Sequence, residues 1–476
     1  MKNKNDVLIM LTTQLNKGSK GNAMINPTAA SSEIPLTFDI RDEYQRKSKA
    51  QNIIRLLTSD TTVSPLIIDG GWGTGKTEFC QKLIQLILND APDLRPVYID
   101  AFRADHADEP LMTILAAVIK LLPENDQQSL IKKAVPALRF GAKTALKAGV
   151  SWVLKQDATD IADDFESDLK KAGDEAINHA VELMLNDHMK ADESIIALQK
   201  TLMALVKENP VVIFIDELDR CRPDFAISML ESIKHVFSVE GVQFVLVVNL
   251  EQLEATVNHC YGDKVVARQY LDKFIGFRFV LSDVVERNHD GLVLASQKHF
   301  SLLVEASSLL QNSILSAEEV LRFTNQLIAQ NNLSLREVES FIIYLEIYHT
   351  LENNEGLTER LFFGVGLLRI LGVYLCCFNP EFVKNLDPET SDAQSILSVL
   401  GVDKPPSLDD YYPSHIEAIA TMIGSESTTS GFMLGTKKSQ IKWEDIIWNY
   451  FKGGHISPET KKLSYVVHVA NTLMLG

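Results

Sequence analysis

One eight-residue segment constrains the fold of this chain more than any other part of its sequence. It reads Gly70-Gly71-Trp72-Gly73-Thr74-Gly75-Lys76-Thr77, follows a short apolar run (residues 64–69) and precedes a stretch with helical apolar spacing (residues 77–89). The pattern G-x-x-x-x-G-K-[ST] in this context predicts a phosphate-binding loop between a buried strand and a helix. The glycines let backbone N–H groups point at an anion, and the helix N-terminus adds partial positive charge. We therefore expect Lys76 to contact the β- and γ-phosphates of a nucleotide and Thr77 to bind Mg²⁺.

A second apolar run, residues 211–215, ends in the acidic sequence Asp216-Glu217-Leu218-Asp219. If the run is a buried strand, Asp216 emerges at the carboxyl edge of the sheet, where open α/β sheets bind their ligands. We expect Asp216 to hold Mg²⁺, directly or through water, because a hard cation prefers oxygen ligands. Glu217 is expected to orient or deprotonate an attacking water, and Asp219 to share that work. The alternative interpretation is a solvated acidic helix start, because acidic residues favour helix N-termini.

Asn249 directly follows a further apolar run, residues 242–248. A polar amide at the end of such a strand is placed to hold the γ-phosphate or the attacking water, as a sensor of nucleotide state. An ordinary residue of the turn after the strand is the alternative. The sequence does not choose between the two interpretations.

Short apolar runs alternate with helical patterns along the first half of the chain. The runs cover residues 64–69, 95–100, 211–216, 242–248 and 274–281, and residues 40–57 have helical spacing before the first of them. Continuous apolar strands separated by helices predict a parallel sheet that is covered on both faces. Right-handed crossovers then give a three-layer α/β core. Beyond residue 290 the apolar spacing is helical almost throughout, which predicts an all-helical C-terminal region.

About 110 residues separate the second and third runs, too many for a plain crossover, and their charges are segregated. Residues 131–155 carry six basic side chains and no acids, whereas residues 156–194 carry twelve acids and three lysines. Arg139, Lys143 and Lys147 recur at four-residue spacing and therefore share one helical face. Three interpretations stay open for that face: a solvated surface that pairs with the acidic stretch, a site for an anionic membrane or nucleic-acid backbone, or a protein-binding site.

Composition limits the classes of partner and the compartment. The net charge of -17 gives no indication of bulk nucleic-acid binding, which needs clustered Lys and Arg, although a local basic patch is compatible with it. The cysteines are five, an odd number without metal-ligand spacing, and no signal peptide is recognisable, so we expect a cytoplasmic protein. The apolar residues 361–378 carry Arg369 near their midpoint, which favours a buried core helix over a transmembrane segment.

The identity of the nucleotide follows from a missing motif. A guanine-binding protein would carry N-K-x-D downstream of the phosphate loop, and the only match, Asn3-Lys4-Asn5-Asp6, lies upstream of it. We therefore expect ATP, with Mg²⁺ as the metal, although no motif in the sequence reads adenine directly.

These motifs together resemble the KAP family of P-loop NTPases over about residues 38–350. The resemblance rests on the phosphate loop with its internal tryptophan and on the acidic segment that continues as Asp219-Arg220-Cys221. Further matching segments are Leu230-Glu231-Ser232-Ile233-Lys234, the apolar run at 244–248, Tyr270-Leu271-Asp272-Lys273-Phe274, and Asp42, Arg46 and Ala50 of the first helix. The residue after Asp216 is often Asp in the family and is Glu217 here, which suits general-base chemistry.

The resemblance implies an ATPase core of the additional-strand type followed by a helical lid. We therefore expect an N-terminal arm at residues 1–37, the NTPase core at 38–285 with a helical charged insert at about 110–200, the lid at 286–378 and a C-terminal helical region at 379–476. Ser334-Leu335-Arg336 is similar to the family's Pro-Arg lid motif, so Arg336 is expected to contact the γ-phosphate. The proline is absent here, and an ordinary surface arginine is the alternative. Many members carry transmembrane helices in the insert, whereas this insert has no long uncharged run.

The functional hypothesis is an ATP-binding and hydrolysing switch or motor that acts through nucleotide-controlled assembly. Bacterial proteins of this family are associated with phage or plasmid exclusion, which implies that role here and, as partners, further copies of the chain and a co-encoded effector protein. Candidates for an arginine finger, in cis or from a neighbouring subunit, are Arg220, Arg222, Arg268 and Arg278. The sequence does not choose among them, and a structural salt bridge is the alternative for each. The alternatives are a nucleotide-bound scaffold with little turnover and a P-loop kinase.

Overall fold

The computed structural model describes residues 36–107, 109–121, 210–288, 291–387, 394–408, 412–426, 436–452 and 461–474, with parts of 195–207. Most of the predicted arm (residues 1–35) and the whole of the charge-segregated stretch at 131–194, including Arg139, Lys143 and Lys147, lie outside the described residues. The chain divides after Ser282 into two compact units. The described residues of the first, the α/β unit, run from 36 to 282, and those of the second, the helical unit, run from 283 to 474.

The α/β unit is built on a five-stranded parallel sheet. Its strands are β1 (Leu66–Asp69), β2 (Arg95–Asp100), β3 (Val211–Asp216), β4 (Val242–Val248) and β5 (Phe277–Val280). Their order across the sheet is β2-β3-β4-β1-β5, and all four neighbouring pairs are parallel. Because β4 lies between β1 and β3, the strand before the glycine loop and the strand before the acids are not neighbours. This arrangement confirms the predicted core of the additional-strand type.

Alternate side chains of the strands enter two separate cores, one on each face of the sheet. Ile213, Ile215 and Leu246 belong to one apolar cluster, whereas Phe214 and Val245 belong to the other. Successive side chains of a strand point to opposite faces, so a strand that is apolar at every position is buried on both. Helices cover both faces: α1 (Lys47–Leu57), α2 (Lys76–Asp90), α3 (Ala101–Ala104), α4 (Pro110–Ile119), α5 (Pro223–His235), α6 (Leu250–Tyr261) and α7 (Ala267–Leu271). The predicted three-layer α/β core is thus confirmed.

The helical unit begins with a two-stranded antiparallel hairpin, which the apolar spacing did not predict. Its strands are β6 (Val284–Asn288) and β7 (Gly291–Leu294). The described helices that follow are α8 (Ala295–Ala306), α9 (Glu318–Gln330), α10 (Leu335–Leu351), α11 (Phe363–Phe378), α12 (Pro380–Val383), α13 (Gln394–Leu400), α14 (His415–Glu426), α15 (Lys437–Phe451) and α16 (Leu463–Leu473). The predicted helical C-terminal region is confirmed.

Helix α11 contains the apolar stretch that had two interpretations. Almost all of its side chains are buried, and they pack in the core of the helical unit. Arg369 occupies the one partly exposed position in the middle of the helix, where its Nη1 donates to the carbonyl oxygen of Gly356 at 2.8 Å. The prediction of a buried core helix is therefore confirmed. Among the residues that the structure describes, no helix is both long and apolar enough to cross a membrane.

Candidate functional site

The glycine-rich loop connects β1 to α2 at the carboxyl edge of the sheet. Gly73 and Gly75 have φ angles of 75° and 80°, a region that side-chain-bearing residues rarely adopt. Gly75 is the residue before the first turn of α2, so the loop ends at a helix N-terminus. Backbone N–H groups at such a terminus have no helical partner and suit an anion. The backbone geometry is therefore that of an anion-binding loop.

Lys76, the first residue of α2, bends back over the loop. Its Nζ donates hydrogen bonds to the carbonyl oxygens of Gly70 at 2.7 Å and Gly71 at 2.9 Å. Partial burial lowers the pKa of Lys76, and the negative charges of Asp219, Asp216 and Asp69 oppose that shift. A lysine ammonium thus lies at the loop with three carboxylates around it.

Asp216, at the end of β3, is the most deeply buried carboxylate of the site, at 1% exposed. The Tyr98 hydroxyl donates to its Oδ2 at 3.0 Å, the Thr77 hydroxyl is hydrogen-bonded to the same carboxylate, and the Glu217 N–H donates to Oδ1 at 2.9 Å. Burial raises the pKa of Asp216 to about 6, and the hydrogen bonds from Thr77 and Tyr98 limit the rise. The structure thus brings the predicted magnesium ligands Thr77 and Asp216 into contact.

The Thr77–Asp216 pair fits a magnesium ion better than a softer metal. A hydroxyl and a carboxylate are hard oxygen donors, and Mg²⁺ commonly takes only one or two protein ligands and completes its octahedron with waters and phosphate oxygens. No cluster of three or more His, Cys, Asp or Glu side chains suited to a metal occurs within the described residues. The donor set is therefore compatible with an ion held jointly by protein and nucleotide.

The two carboxylates that follow Asp216 are held by different partners. Glu217 has left-handed backbone angles (φ 61°, ψ 25°), and its Oε1 forms an ion pair with Arg220 at 3.1 Å. Asp219 lies in a short 3-10 turn, Leu218–Arg220, and its Oδ2 accepts a hydrogen bond from the indole Nε1 of Trp72 at 2.9 Å. A left-handed conformation is uncommon for a residue other than glycine and occurs preferentially at functional sites.

Asn249 is the N-cap of α6 at the end of β4. Its Oδ1 accepts a hydrogen bond from the backbone N–H of Glu251 at 3.1 Å. This contact is the one expected of an ordinary capping residue, which is the alternative interpretation of this position. The sensor role of Asn249 stays a prediction.

Three neighbours of the loop did not follow from motif analysis alone. Asp69 ends β1, where its carboxylate accepts from Arg278 Nη2 at 2.5 Å and from the Leu250 N–H at 2.9 Å. Arg46 is buried, and its Nη1 donates to the Thr74 carbonyl oxygen of the loop at 3.1 Å. Tyr98 on β2 was not a candidate, because no pattern in the sequence distinguishes it from other strand residues. For Asp69 the signal was present: a carboxylate ends an apolar run, as Asp216 does.

The arginines that were candidates for a finger differ in their contacts. Arg220 pairs with Glu217 at 3.1 Å, Arg222 with Asp105 at 3.1 Å and Arg278 with Asp69 at 2.5 Å. Arg268, in contrast, is exposed on α7, and the described part of the chain provides no side-chain partner for it. Arg336 lies in the first turn of α10 in the helical unit, beside the capping box formed by Ser334 and Glu337.

One family model and one solved structure are similar to this chain. A solved structure of the ORC2 protein of Aeropyrum pernix, in ADPNP–ADP complexes, is similar over 94% of this chain and 89% of that chain, at 14% identity and a TM-score of 0.33. The search of curated proteins found no match. The KAP family P-loop domain matches residues 46–351, more than half of the chain, and this range contains the glycine loop and the acidic strand end. The chain therefore belongs to the KAP family of P-loop NTPases.

Proposed function

We propose that this protein binds Mg-ATP and hydrolyses it, and that nucleotide state switches the protein between forms. The observation that carries the proposal is the contact between the Thr77 hydroxyl and the Asp216 carboxylate at the foot of a lysine-bearing glycine loop. Two hard ligands from separate elements converge there beside a site built for phosphate. Membership of a P-loop family supports the same assignment.

Each residue has a distinct role in the proposed reaction. Backbone N–H groups of Gly71, Gly73 and Gly75 and the start of α2 bind the phosphates, while Lys76 moves its charge from the loop carbonyls to phosphate oxygens. Thr77 and Asp216 hold Mg²⁺, which when bound neutralises charge on the phosphate oxygens. Glu217 and Asp219 orient the attacking water or accept its proton. Arg336 and Asn249 stay candidates for γ-phosphate contacts.

Two other functions fit the same loop and are separable by experiment. A nucleotide-bound scaffold would hold ATP and release little phosphate, and a P-loop kinase would release none without an added acceptor. Release of inorganic phosphate from Mg-ATP alone, in a single turnover, therefore supports the hydrolase over both. Competition by GTP, CTP and UTP in the same assay tests the preference for ATP.

The direct test of hydrolysis is Glu217→Gln, which keeps the size of the side chain and removes its basicity. We expect Mg-ATP binding to persist and single-turnover phosphate release to fall by about 10²- to 10⁴-fold, the usual range for loss of a general base. Glu240→Gln is a matched control, because Glu240 is an exposed glutamate of the same unit. Equal turnover in Glu217→Gln and Glu240→Gln would assign the base to Asp219 or elsewhere.

We extend the proposal to a cytoplasmic assembly that acts in phage defence or plasmid exclusion, with further copies of the chain and a co-encoded effector as partners. Family resemblance supports the role. Arg268, which is exposed and has no side-chain partner among the described residues, supports an arginine supplied to a neighbouring copy. Phage should form fewer plaques on cells that express the wild-type protein than on cells without it. Cells that express the Lys76→Ala variant should show no such reduction. Arg268→Ala should lower ATPase activity per subunit at high protein concentration; unchanged activity would contradict the assignment of Arg268.

A further inference from the structure

A hydrogen bond joins the phosphate loop to the acidic turn that follows β3. The indole Nε1 of Trp72 donates to Oδ2 of Asp219 at 2.9 Å, between residues 147 positions apart. Trp72 is 51% exposed although it is the largest side chain of the loop, whereas Asp219 is 8% exposed. Since half of the indole surface stays in water, burial explains little of why a tryptophan occupies this position. Among the residues that the structure describes, its specific polar contact is the bond to Asp219.

The Asp219 carboxylate depends on this bond. A buried carboxylate is unfavourable unless donors or cations compensate it. Within the described residues, the indole N–H is the only hydrogen-bond donor to the Asp219 side chain. Lys76 supplies compensating positive charge, because among the carboxylates around Lys76 the attraction of Asp219 is the largest. Asp219 is therefore fixed between two residues of the loop, Trp72 and Lys76.

Glu217 is fixed differently, and the contrast assigns separate roles to the two acids. Its ion pair is with Arg220, three residues further along the same segment. A movement of the glycine loop would act directly on Asp219, through the bond from Trp72. The two carboxylates together can orient a water whose position depends on the loop.

We propose that Trp72 is a positioning residue whose indole N–H holds the Asp219 carboxylate toward the phosphate loop, so that Asp219 orients the attacking water. This inference rests on the proposed ATP hydrolysis. Asp219 acts on the water and Trp72 acts only through Asp219. The consequence is a division between binding and turnover: loss of the indole N–H slows the chemical step and leaves phosphate binding by the loop backbone and Lys76 intact.

The kinetic test is Trp72→Phe, which keeps an aromatic ring and removes the N–H. We expect single-turnover hydrolysis to slow by about 10- to 100-fold, as for the loss of one hydrogen bond to a charged group, with the Kd for Mg-ATP within about 3-fold of wild type. Trp448→Phe is the matched control, because Trp448 is an exposed tryptophan of the helical unit. Equal rates in Trp72→Phe and Trp448→Phe would overturn the inference, and so would a loss of binding in Trp72→Phe.

A double-mutant cycle then tests whether Trp72 acts through Asp219. We expect Trp72→Phe/Asp219→Ala to be no slower than Asp219→Ala alone, because the second change removes a bond that is already lost. If the two substitutions instead slow hydrolysis by the product of their separate factors, Trp72 and Asp219 act independently and the inference is contradicted. Asp219→Leu also removes the acceptor for the indole and serves as the second variant if Asp219→Ala unfolds, which thermal denaturation checks.

Tryptophan emission gives a readout that does not depend on turnover. With excitation at the indole band, Asp219→Ala should change the emission of the wild-type protein and leave that of Trp72→Phe unchanged. The same change in both backgrounds would mean that Trp72 does not sense Asp219. The two proposals fail differently: wild-type protein without hydrolysis ends the proposed function, whereas hydrolysis that is indifferent to Trp72→Phe ends only this inference.

Discussion

The α/β unit buries charged side chains, whereas the described part of the helical unit buries hydroxyl and imidazole groups in an otherwise apolar core. The buried charged residues of the first are Arg46, Asp69, Lys82, Asp105, Asp216 and Asp219. The buried polar residues of the second are Ser296, His299, Ser307, Ser313, Thr324, His349 and Thr421. Both units have large apolar cores, so the difference is not one of hydrophobic content.

This difference in buried charge indicates which unit carries the candidate functional site. Buried charges are unfavourable without partners, and they cluster at sites where chemistry needs them. Most of those in the α/β unit contact the loop or the ends of β1 and β3: Arg46 binds the Thr74 carbonyl, Asp69 pairs with Arg278, and Asp216 binds Thr77. In the helical unit, the buried polar groups of Ser313, Thr324 and His349 instead form hydrogen bonds with backbone groups.

The largest effect on stability is expected in the core of the helical unit. Phe341 is fully buried on α10, with ring centroids 5.9 Å from Phe300 and 5.6 Å from Tyr374. Phe341→Ala should lower the free energy of unfolding by about 3–5 kcal/mol through lost burial and a cavity. Hydrogen exchange of peptides from α10 measures this, with the exposed Ile343→Ala on the same helix as control. If both variants exchange alike, the helical unit is not held by the packing described.

A smaller effect is expected from a buried charge in the α/β unit. Lys82 is 4% exposed on α2; its Nζ lies 2.8 Å from Glu78 Oε1 and donates to the Arg41 carbonyl at 2.7 Å. Lys82→Met should destabilise the α/β unit by about 3 kcal/mol, because Glu78 is left with less compensation. Urea denaturation measures it, against Lys120→Met at an exposed position. If the Lys82→Met protein is as stable as wild type, the buried charge of Lys82 does not stabilise the α/β unit, and the contrast drawn between the two units fails at this residue.

The smallest effect is a pH dependence in the helical unit. His349 is buried, its Nδ1 accepts the Leu357 N–H at 3.1 Å, and burial lowers its pKa below the ordinary 6.5. The folded state therefore binds fewer protons than the unfolded state: this stability is complete above pH 6.5 and is lost as pH falls toward the folded-state pKa. Urea midpoints at pH 7.5 and 5.5 should differ less in His349→Asn, which keeps an acceptor but does not titrate. Equal differences in both proteins would exclude His349 as the cause.

The sequence predicted most of the sheet because buried parallel strands leave continuous apolar runs. The runs at 95–100, 211–216 and 242–248 correspond to β2, β3 and β4 as observed. The run at 274–281 is longer than the observed strand, Phe277–Val280. This strand lies at the edge of the sheet and has exposed residues, so the apolar run does not mark which residues pair with β1. The β6–β7 hairpin was missed because the polar residues of β6 interrupt its apolar pattern. The order of the strands could not be predicted from the apolar pattern, and its prediction rested on the family resemblance.

The candidate site was predictable to the extent that it is local in sequence. The glycine loop and the acids after β3 are contiguous motifs, so spacing identified them. The contacts of Tyr98 with Asp216 and of Trp72 with Asp219 join residues 118 and 147 positions apart, and they follow only from the order of the strands. Likewise, the contacts of the candidate arginines became distinguishable only when their carboxylate partners were placed. The sequence thus predicted which residues of the two motifs carry the chemistry, but it did not predict which distant side chains hold them in position.

The central claim is that Lys76, Thr77 and Asp216 form one site for a nucleotide and its magnesium ion. Calorimetric titration of Mg-ATP into the folded full-length protein, with Lys76→Ala and the exposed Lys120→Ala in parallel, tests it most directly. The account predicts saturable heat for wild type and Lys120→Ala and none for Lys76→Ala, since the lysine supplies the full positive charge of the loop. No heat with folded wild-type protein, or equal affinity in all three proteins, would contradict it.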